Sequence, residues 1–421
     1  MQIRLFISLL LVSVGLQAQS LVLKADAMLD VHSGKLIANP LVVIKDNRIL
    51  QIGSQNQLSI PEDAKVLELK GQTLLPGLMD MHVHLNSDAR LHGYKRLAQS
   101  LPRKTLTGVS NARKTIETGF TTVRNVGAPG YADIALRDAI AEGELIGPRI
   151  FAAGMSLGIT GGHCDNNLLP YEYQDKSAAA ADGPWQVREK VRMNVKYGAD
   201  WIKFCATGGV LSKGTKVGAQ QYSQQEMDAL VDEASLRGIG VAAHAHGLSG
   251  IKAAIRAGVT SVEHASFLDE EAINLALEKG TYLSMDIYTT EYILGEGEKA
   301  GILEESLAKE RLVGSKQRES FSSAVKAGVK MVFGSDAGVY PHGQNARQFS
   351  RMVKFGMTPL QAIQAATINS ATMLGERDNL GSLEQGKLAD IIAVPGNPLE
   401  NISLLEQVSW VFKEGQLITR P

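Results

Sequence analysis

Cysteine is scarce in this chain of 421 residues, which contains only Cys164 and Cys205. This scarcity excludes a disulfide-rich scaffold and a structural zinc knuckle, because both need more cysteines at close spacing. We expect two buried or cavity-lining thiols. Two alternatives stay open: a single bridge in an oxidising compartment, and an approach of either thiolate to a metal.

An excess of charge of one sign is also absent. The 43 basic and 44 acidic residues give a formal net charge of −1. This balance argues against nucleic acid or an anionic membrane surface as a partner, because both attract strongly basic proteins. The 44% of hydrophobic residues is enough for one large barrel and a smaller accessory domain.

Long apolar runs are missing after the first twenty residues, so we expect no membrane span. The N-terminus itself has Arg4, a mostly apolar stretch from Leu5 to Leu16, and small residues near Ser20. This pattern predicts a signal peptide over residues 1–20, with a buried N-terminal strand as the alternative. We therefore expect secretion across the inner membrane, into the periplasm or out of the cell.

Short β-like runs separated by turns occupy both ends of the mature chain. They include Leu41–Ile44 and Ile49–Ile52 near the N-terminus, and Asp390–Val394, Val408–Phe412 and Gln416–Thr419 near the C-terminus. We predict that segments 21–72 and 385–421 pair into one small β-sandwich.

Residues 73–384 alternate between apolar runs and helical stretches. The eight candidate strands are Thr73–Leu78, Thr121–Val126, Arg149–Ala153, Trp201–Cys205, Val241–His244, Ser261–His264, Tyr282–Asp286 and Val329–Phe333. Eight strands that alternate with helices predict an α/β protein with a (β/α)₈ TIM-like barrel. The amphipathic helices outside such a barrel leave open whether the chain forms a homo-oligomer.

Metal-binding residue types recur where these strands end. They are His82, His84, Lys203, His244, His264 and Asp336. The carboxyl ends of barrel strands converge on one open face, so these side chains are predicted to meet there. Residues two apart on a strand face the same side, which lets His82 and His84 hold one metal.

Lys203 lies in the middle of an apolar strand, where an ammonium group is costly to bury without a partner. One interpretation is that it reaches a carboxylate at the rim. The other, which we favour, is that CO₂ adds to the neutral amine and forms a carbamate whose two oxygens bridge two cations.

Each of the next two strand ends offers two neighbouring residues as possible metal ligands. We predict that His244 binds metal, because it is nearer the apolar strand than His246, which we expect to be structural. In Ser261–Ala265 we expect His264 to be the ligand and Glu263 to face away from the barrel interior.

These motifs resemble the amidohydrolase superfamily over essentially the whole mature chain. The resemblance implies that His82 and His84 hold one Zn²⁺, that His244 and His264 hold a second, and that carboxylated Lys203 bridges the two. It also implies that Asp336 binds the first metal and accepts a proton from the bridging water.

Three further motifs are similar to the prolidase-like subgroup: Gly162–Asp165, Ser284–Tyr288 and Tyr340–Gly343. By this resemblance, His163 holds the scissile carbonyl and Tyr288 the substrate carboxylate. A loop-packing role is the alternative for His163. Within the subgroup, the combination looks like secreted zinc carboxypeptidases that release C-terminal arginine or lysine. A basic side chain needs an acidic partner, for which Asp165 and Asp286 are the candidates.

The expected activity is hydrolysis of the amide bond before a C-terminal amino acid, favoured Arg or Lys, in dipeptides and N-acyl amino acids. A dipeptidase for proline or apolar residues and an amide-mycotoxin hydrolase are the alternatives within the family. A lactonase, a deaminase and a non-catalytic binding protein are the alternatives from other classes.

Overall fold

A computed structural model describes residues 20–421, so nearly all of the predicted signal peptide lies outside the described residues. The strands are β1 (Leu21–Leu29), β2 (Leu36–Ala38), β3 (Pro40–Lys45), β4 (Arg48–Ser54), β5 (Lys65–Pro76), β6 (Leu78–Val83), β7 (Phe120–Asn125), β8 (Arg149–Ala152), β9 (Trp201–Cys205), β10 (Gly240–Ala245), β11 (Ser261–His264), β12 (Tyr282–Ser284), β13 (Met331–Val332), β14 (Ile391–Pro395), β15 (Trp410–Lys413) and β16 (Gln416–Thr419).

Eleven α-helices accompany them in the described range, residues 20–421. They are α1 (Leu101–Glu117), α2 (Ala132–Ala141), α3 (Pro184–Lys196), α4 (Gln224–Ser235), α5 (Leu248–Ala257), α6 (Glu270–Lys279), α7 (Thr289–Ala300), α8 (Glu304–Ala327), α9 (Arg347–Lys354), α10 (Pro359–Ala365) and α11 (Ile368–Leu374). The predicted capping box at the start of α4 is present, formed by Ser223 and Glu226. Within residues 20–421, no helix has the length and apolarity needed to cross a bilayer.

The two ends of the chain join in one eight-stranded sheet, which confirms the predicted pairing of the termini. The strand order is β16-β15-β14-β5-β1-β3-β4, with β2 beside β1. The C-terminal strand β14 runs antiparallel to β5, with Ile392 opposite Leu75. Side chains from distant strands of this sheet, including Leu23, Val42 and Phe412, share one apolar cluster. The sheet therefore has a hydrophobic core of its own, formed by these side chains.

The prediction that Thr73–Leu78 is the first barrel strand is wrong. Residues up to Pro76 belong to β5 in the terminal sheet, and the barrel begins at Leu78. The apolar run is continuous across both strands, so its pattern cannot locate the boundary. The boundary lies at Gly77, between the two strands. A side chain does not fit at this position, because a Cβ atom would lie 2.2 Å from Thr121 Oγ1. The other seven predicted strands agree with β7 to β13 within two residues at each end.

The strands β6 to β13 form the parallel barrel. β6, β7 and β8 pair in one group and β9 to β13 in another. Leu157, just beyond β8, bridges to Phe204 in β9 and joins the groups on one side. On the other side, the Met81 amide in β6 donates to the Phe333 carbonyl at 2.8 Å. These links close the ring, and the carboxyl ends of the strands open on one face.

Outside the barrel, α3 and α4 are held together by one carboxylate and three arginines. The Glu233 side chain, 1% exposed, accepts hydrogen bonds from Arg188, Arg192 and Arg237. Hydrogen bonds from Arg192 and its neighbours lower the pKa of Glu233 to about 2 despite the opposing effect of burial.

Candidate metal-dependent active site

Two histidines and one aspartate meet where β6 and β13 end. His82 Nε2 lies 3.3 Å from Asp336 Oδ1, and His84 Nε2 lies 3.5 Å from the same oxygen. The Asp336 amide donates to the His82 carbonyl at 2.8 Å, and its φ of +57° turns the carboxylate toward the mouth of the barrel. The three ligand atoms lie within 4.8 Å of one another, which suits a single divalent cation.

A second group consists of His244, His246 and His264, whose ligand atoms also lie within 4.8 Å of one another. His244 Nε2 is buried and has no hydrogen-bond partner among residues 20–421. An unpaired buried nitrogen is costly, and a bound cation would satisfy it. His246, expected to be structural, lies in the same group, and its Nδ1 is 2.7 Å from Ser266 Oγ.

Lys203 projects from β9 and is 3% exposed. Burial lowers the pKa of its ammonium group to about 8, and the charges of Glu263 and Asp336 oppose this shift. No carboxylate among residues 20–421 lies within ion-pairing distance of Lys203, so the interpretation of a lysine that reaches a rim carboxylate is not supported. A raised fraction of neutral amine is what addition of CO₂ requires, so Lys203 fits the predicted modification.

The prediction that Glu263 faces away from the barrel interior is wrong. Its side chain is fully buried, with Oε2 2.8 Å from His82 Nδ1 and Oε1 2.7 Å from an Arg124 nitrogen. Glu263 is paired in register with His244 on β10, and partners in parallel strands share a face. The alternation that suggested otherwise fails because φ of His264 is +69°, which turns that histidine back into the barrel as well.

Both acidic residues predicted to recognise a basic substrate line the cavity, but the protein already uses them. Asp286 Oδ1 lies 2.7 Å from His264 Nδ1 and accepts from Gln317 Nε2 at 2.9 Å. Asp165 accepts hydrogen bonds from three backbone amides at 2.6–2.8 Å. Asp286 therefore orients a candidate metal ligand, and Asp165 shapes its own loop.

The two cysteines form a disulfide that links the loop after β8 to the end of β9. The expectation of two thiols is thus wrong, and neither sulfur is available as a thiolate ligand. The sequence separation of 41 between Cys164 and Cys205 concealed the contact, because the loop folds back over β9 to a Cα separation of 5.8 Å. The bridge fixes the segment that carries His163 next to the strand that carries Lys203.

His163 lies within the cavity wall and packs on His244, with ring centroids 4.1 Å apart. Its Nδ1 is 2.8 Å from Ser212 Oγ, and its Nε2 has no hydrogen-bond partner among residues 20–421. Burial, reinforced by neighbouring cationic groups, lowers the pKa of His163 to about 3. His163 is therefore a neutral imidazole with one ring nitrogen available to a ligand.

The structure does not bring Tyr288 to this cavity. Its side chain is 4% exposed, packs edge-on against Tyr340, and accepts a hydrogen bond from Arg347 at 2.8 Å. Tyr288 follows β12 closely in sequence, but it is the residue before α7 and is not among the residues that line the cavity.

The candidate ligands open into a cavity of about 780 Å³. Its wall also contains Arg96, Lys104 and Glu310, which the sequence analysis did not identify. Nothing in the sequence distinguishes them, because Glu310 lies in a helix with many charged residues and the two cations lie outside the strand ends.

Comparison with known proteins agrees with this geometry. Ochratoxinase from Aspergillus niger is 34% identical over 418 residues, covering 92% of this chain and 84% of that protein. A solved structure of a Xaa-Pro dipeptidase with bound methionine is 41% identical, with a TM-score of 0.89 over 95% of this chain and 99% of that chain. A prolidase in complex with N-methylphosphonate-L-proline is 32% identical, with a TM-score of 0.86 over 96% and 100%.

The sequence model of the amidohydrolase family matches residues 73–418, which include the barrel and most of the C-terminal strands. With the barrel, the histidine and aspartate groups at its mouth and this match, the chain belongs to the amidohydrolase family.

Proposed function

We propose that the protein is a two-metal amide hydrolase that releases the C-terminal amino acid from dipeptides and N-acyl amino acids. The overlap of the candidate ligand groups carries the proposal. Asp336 belongs both to the group with His82 and His84 and to a group with His264 and Asp286, and His264 also belongs to the group with His244. Overlap of this kind suits two cations side by side in one cavity.

The proposed cations are two Zn²⁺. His82, His84 and Asp336 would hold one, His244 and His264 the other, and carboxylated Lys203 would bridge them, because histidine nitrogens and carboxylate oxygens are ligands that zinc accepts. When bound, such a pair lowers the pKa of a shared water and polarises the scissile carbonyl.

The protein's own residues would supply the proton transfers and the orientation of the substrate. Asp336 would take the proton from the attacking water and pass it to the leaving nitrogen. A Ser212 hydroxyl that donates to Nδ1 of His163 leaves the proton of that ring on Nε2, where it can donate to the carbonyl oxygen as negative charge develops. Packing on His244 and the adjacent disulfide would hold the His163 ring in place.

A released amino acid carries a free carboxylate, which needs a cationic partner inside the cavity. Arg96 and Lys104 are two cavity-lining candidates, since neither forms an ion pair with any residue in the described range. We infer that these two residues, rather than the buried Tyr288, attract the carboxylate.

For the released residue we propose Arg or Lys. A second candidate comes from the relatives, because the similar proteins include a Xaa-Pro dipeptidase and an ochratoxinase. Proline or another apolar residue, or the amide bond of a mycotoxin, is therefore the competing choice, and it would leave the proposed metal chemistry unchanged.

The experiment is a panel of N-acyl amino acids and Xaa dipeptides, incubated with the zinc-loaded protein and analysed for free amino acids by mass spectrometry. Release of any C-terminal amino acid supports the amide hydrolase, and the identity of the residue decides between the two candidates. An Asp336→Asn variant is the control for contaminating peptidases. No release by a protein with two metals per chain would contradict the proposal and favour a lactonase or deaminase.

We propose further that the protein works in the periplasm or outside the cell. The disulfide supports this location, since such bridges persist in oxidising compartments. Fractionation of cells that express the full chain tests it, and recovery of the protein only from the cytosol would contradict it.

A further inference from the structure

Glu310 is a buried carboxylate in the cavity wall whose charge the protein does not neutralise. It is 5% exposed, and Thr290 Oγ1 donates to its Oε1 at 2.5 Å. None of the basic residues in the range 20–421 forms an ion pair with it. The nearby Arg318 pairs instead with Glu291, at 3.7 Å.

The surroundings of Glu310 oppose its ionisation. Burial raises its pKa to about 7, and the negative charges of Asp286 and Asp336 act in the same direction, whereas the hydrogen bond from Thr290 and the charge of Arg318 oppose the shift. A carboxylate in such a position is stabilised by a cation that comes from outside the protein.

The wall next to Glu310 is apolar. Val313 lies one turn further along α8, on the same face, and Ile293 lies one turn beyond Thr290 on α7. Both line the cavity, as does Ile302. The helices approach closely here, because a Cβ atom on Gly314 would lie 2.5 Å from Thr290 Cγ2. The crease between α7 and α8 thus combines aliphatic walls with one carboxylate.

A lysine or arginine side chain has the complementary chemistry, since its methylene groups pack on apolar surface while its charged end seeks an acid. Asp165 does not serve as that acid, because backbone amides occupy both of its oxygens. His264 and Gln317 contact Oδ1 of Asp286, and its position beside a candidate metal ligand assigns Asp286 to the metal site. Within residues 20–421, the second oxygen of Glu310 has no hydrogen-bond partner, since Thr290 contacts only Oε1.

We propose that Glu310 determines the preference for a basic amino acid: its free oxygen pairs with the guanidinium or ammonium group, and the methylene groups lie against Ile293 and Val313. This inference rests on the proposed function, in that it identifies the side-chain pocket of the same active site.

The test compares N-acetyl-arginine with N-acetyl-citrulline, whose side chain has the same length but ends in a neutral urea. For the zinc-loaded wild type we expect kcat/KM to favour arginine by roughly 10- to 100-fold, the size of one hydrogen bond to a charged group. In Glu310→Gln this ratio should fall close to one. The amide oxygen can still accept from Thr290, so the variant removes the charge without removing that contact.

A matched variant, Glu304→Gln, removes a carboxylate from the exposed side of the same helix and should keep the arginine preference. An unchanged ratio in Glu310→Gln would overturn the proposal, and so would a wild type that prefers citrulline or proline, although amide hydrolysis would then stand.

Binding of free L-arginine and L-citrulline, measured by calorimetry, tests the role of Glu310 independently of the proposed amide hydrolysis. If neither substrate is cleaved, the proposed function fails, and the binding data still decide on Glu310. Selective loss of arginine binding in Glu310→Gln supports the pocket, and equal binding to wild type and variant overturns it.

Discussion

Glu263 Oε2 lies 2.8 Å from Nδ1 of His82, on the opposite side of the ring from the nitrogen that faces Asp336. Arg124 holds the other oxygen of Glu263 at 2.7 Å and also donates to the Met81 carbonyl. A carboxylate on Nδ1 fixes the orientation of the imidazole and presents Nε2 to the cavity. Glu263 is thus a positioning residue for a candidate metal ligand.

We predict that Glu263→Gln lowers the affinity for the metal bound by His82 by roughly 10- to 100-fold, because the neutral amide orients the ring less firmly. Competition with a chromophoric chelator measures this affinity directly. Glu271→Gln, on the exposed surface, is the matched control. Equal metal affinity in the two variants would show that the Glu263 contact does not position the ring.

Lys203→Ala should remove the proposed bridge and reduce both metal content and activity. Lys203→Arg should do the same, because a guanidinium does not form the carbamate. Elemental analysis gives the number of metals per chain, and a ¹³C NMR carbamate signal after incubation with labelled bicarbonate should appear only in the wild type. Full activity of Lys203→Ala with two bound metals would refute the role of the lysine.

His163→Ala should lower kcat/KM by roughly 100-fold or more, the effect of removing one donor to a developing oxyanion. Metal content should stay at the wild-type level, since His163 lies beside the ligand groups but is not a member of them. Ser212→Ala removes only the hydroxyl at Nδ1 and should have a smaller effect on kcat/KM. An unchanged kcat/KM in His163→Ala would favour a loop-packing role.

Replacement of both cysteines by serine should lower the free energy of unfolding by about 2 to 4 kcal/mol, because the bridge restricts a loop of about 41 residues in the unfolded chain. Urea unfolding with and without reductant measures the difference. The reductant should destabilise the wild type and leave the double variant unaffected; equal effects on both would mean that the bridge is not formed.

Acid should weaken the contact between α3 and α4. Because the folded pKa of Glu233 is about 2, below its ordinary value of 4.5, its ion pairs contribute stability above about pH 4.5 and lose it as the pH falls toward 2. Glu233→Gln should therefore be less stable than wild type at pH 7, by on the order of 1 kcal/mol, and the difference should shrink at pH 3. Melting curves at the two pH values check this; a difference independent of pH would point to packing.

The sequence alone predicted the barrel and the meeting of His82, His84, His244, His264 and Asp336 at its mouth, because strand ends on a parallel barrel converge wherever the chain places them. It did not predict that His246 joins His244 and His264. Its failures have local causes. The strand boundary at Gly77 depends on a contact with Thr121, and Glu263 was misplaced because the backbone of His264 is left-handed.

A different reason explains why some functional residues were not identified from the sequence. The roles of Arg124, Ser212 and Glu310 depend on contacts between segments far apart in the chain, as does the disulfide. Charge and polarity at a single position do not reveal such contacts, whereas the repeated strand-end pattern does reveal which side chains meet at the barrel mouth.

The sheet that joins both ends of the chain also sets the order of assembly during synthesis. β5 has β1 on one side and β14 on the other, so its second edge stays unpaired until Ile391–Pro395 has emerged from the ribosome. Until then the nascent protein carries an open, partly apolar strand edge, which is a template for pairing with another chain. Aggregation during production should therefore be most severe for chains that stop short of β14.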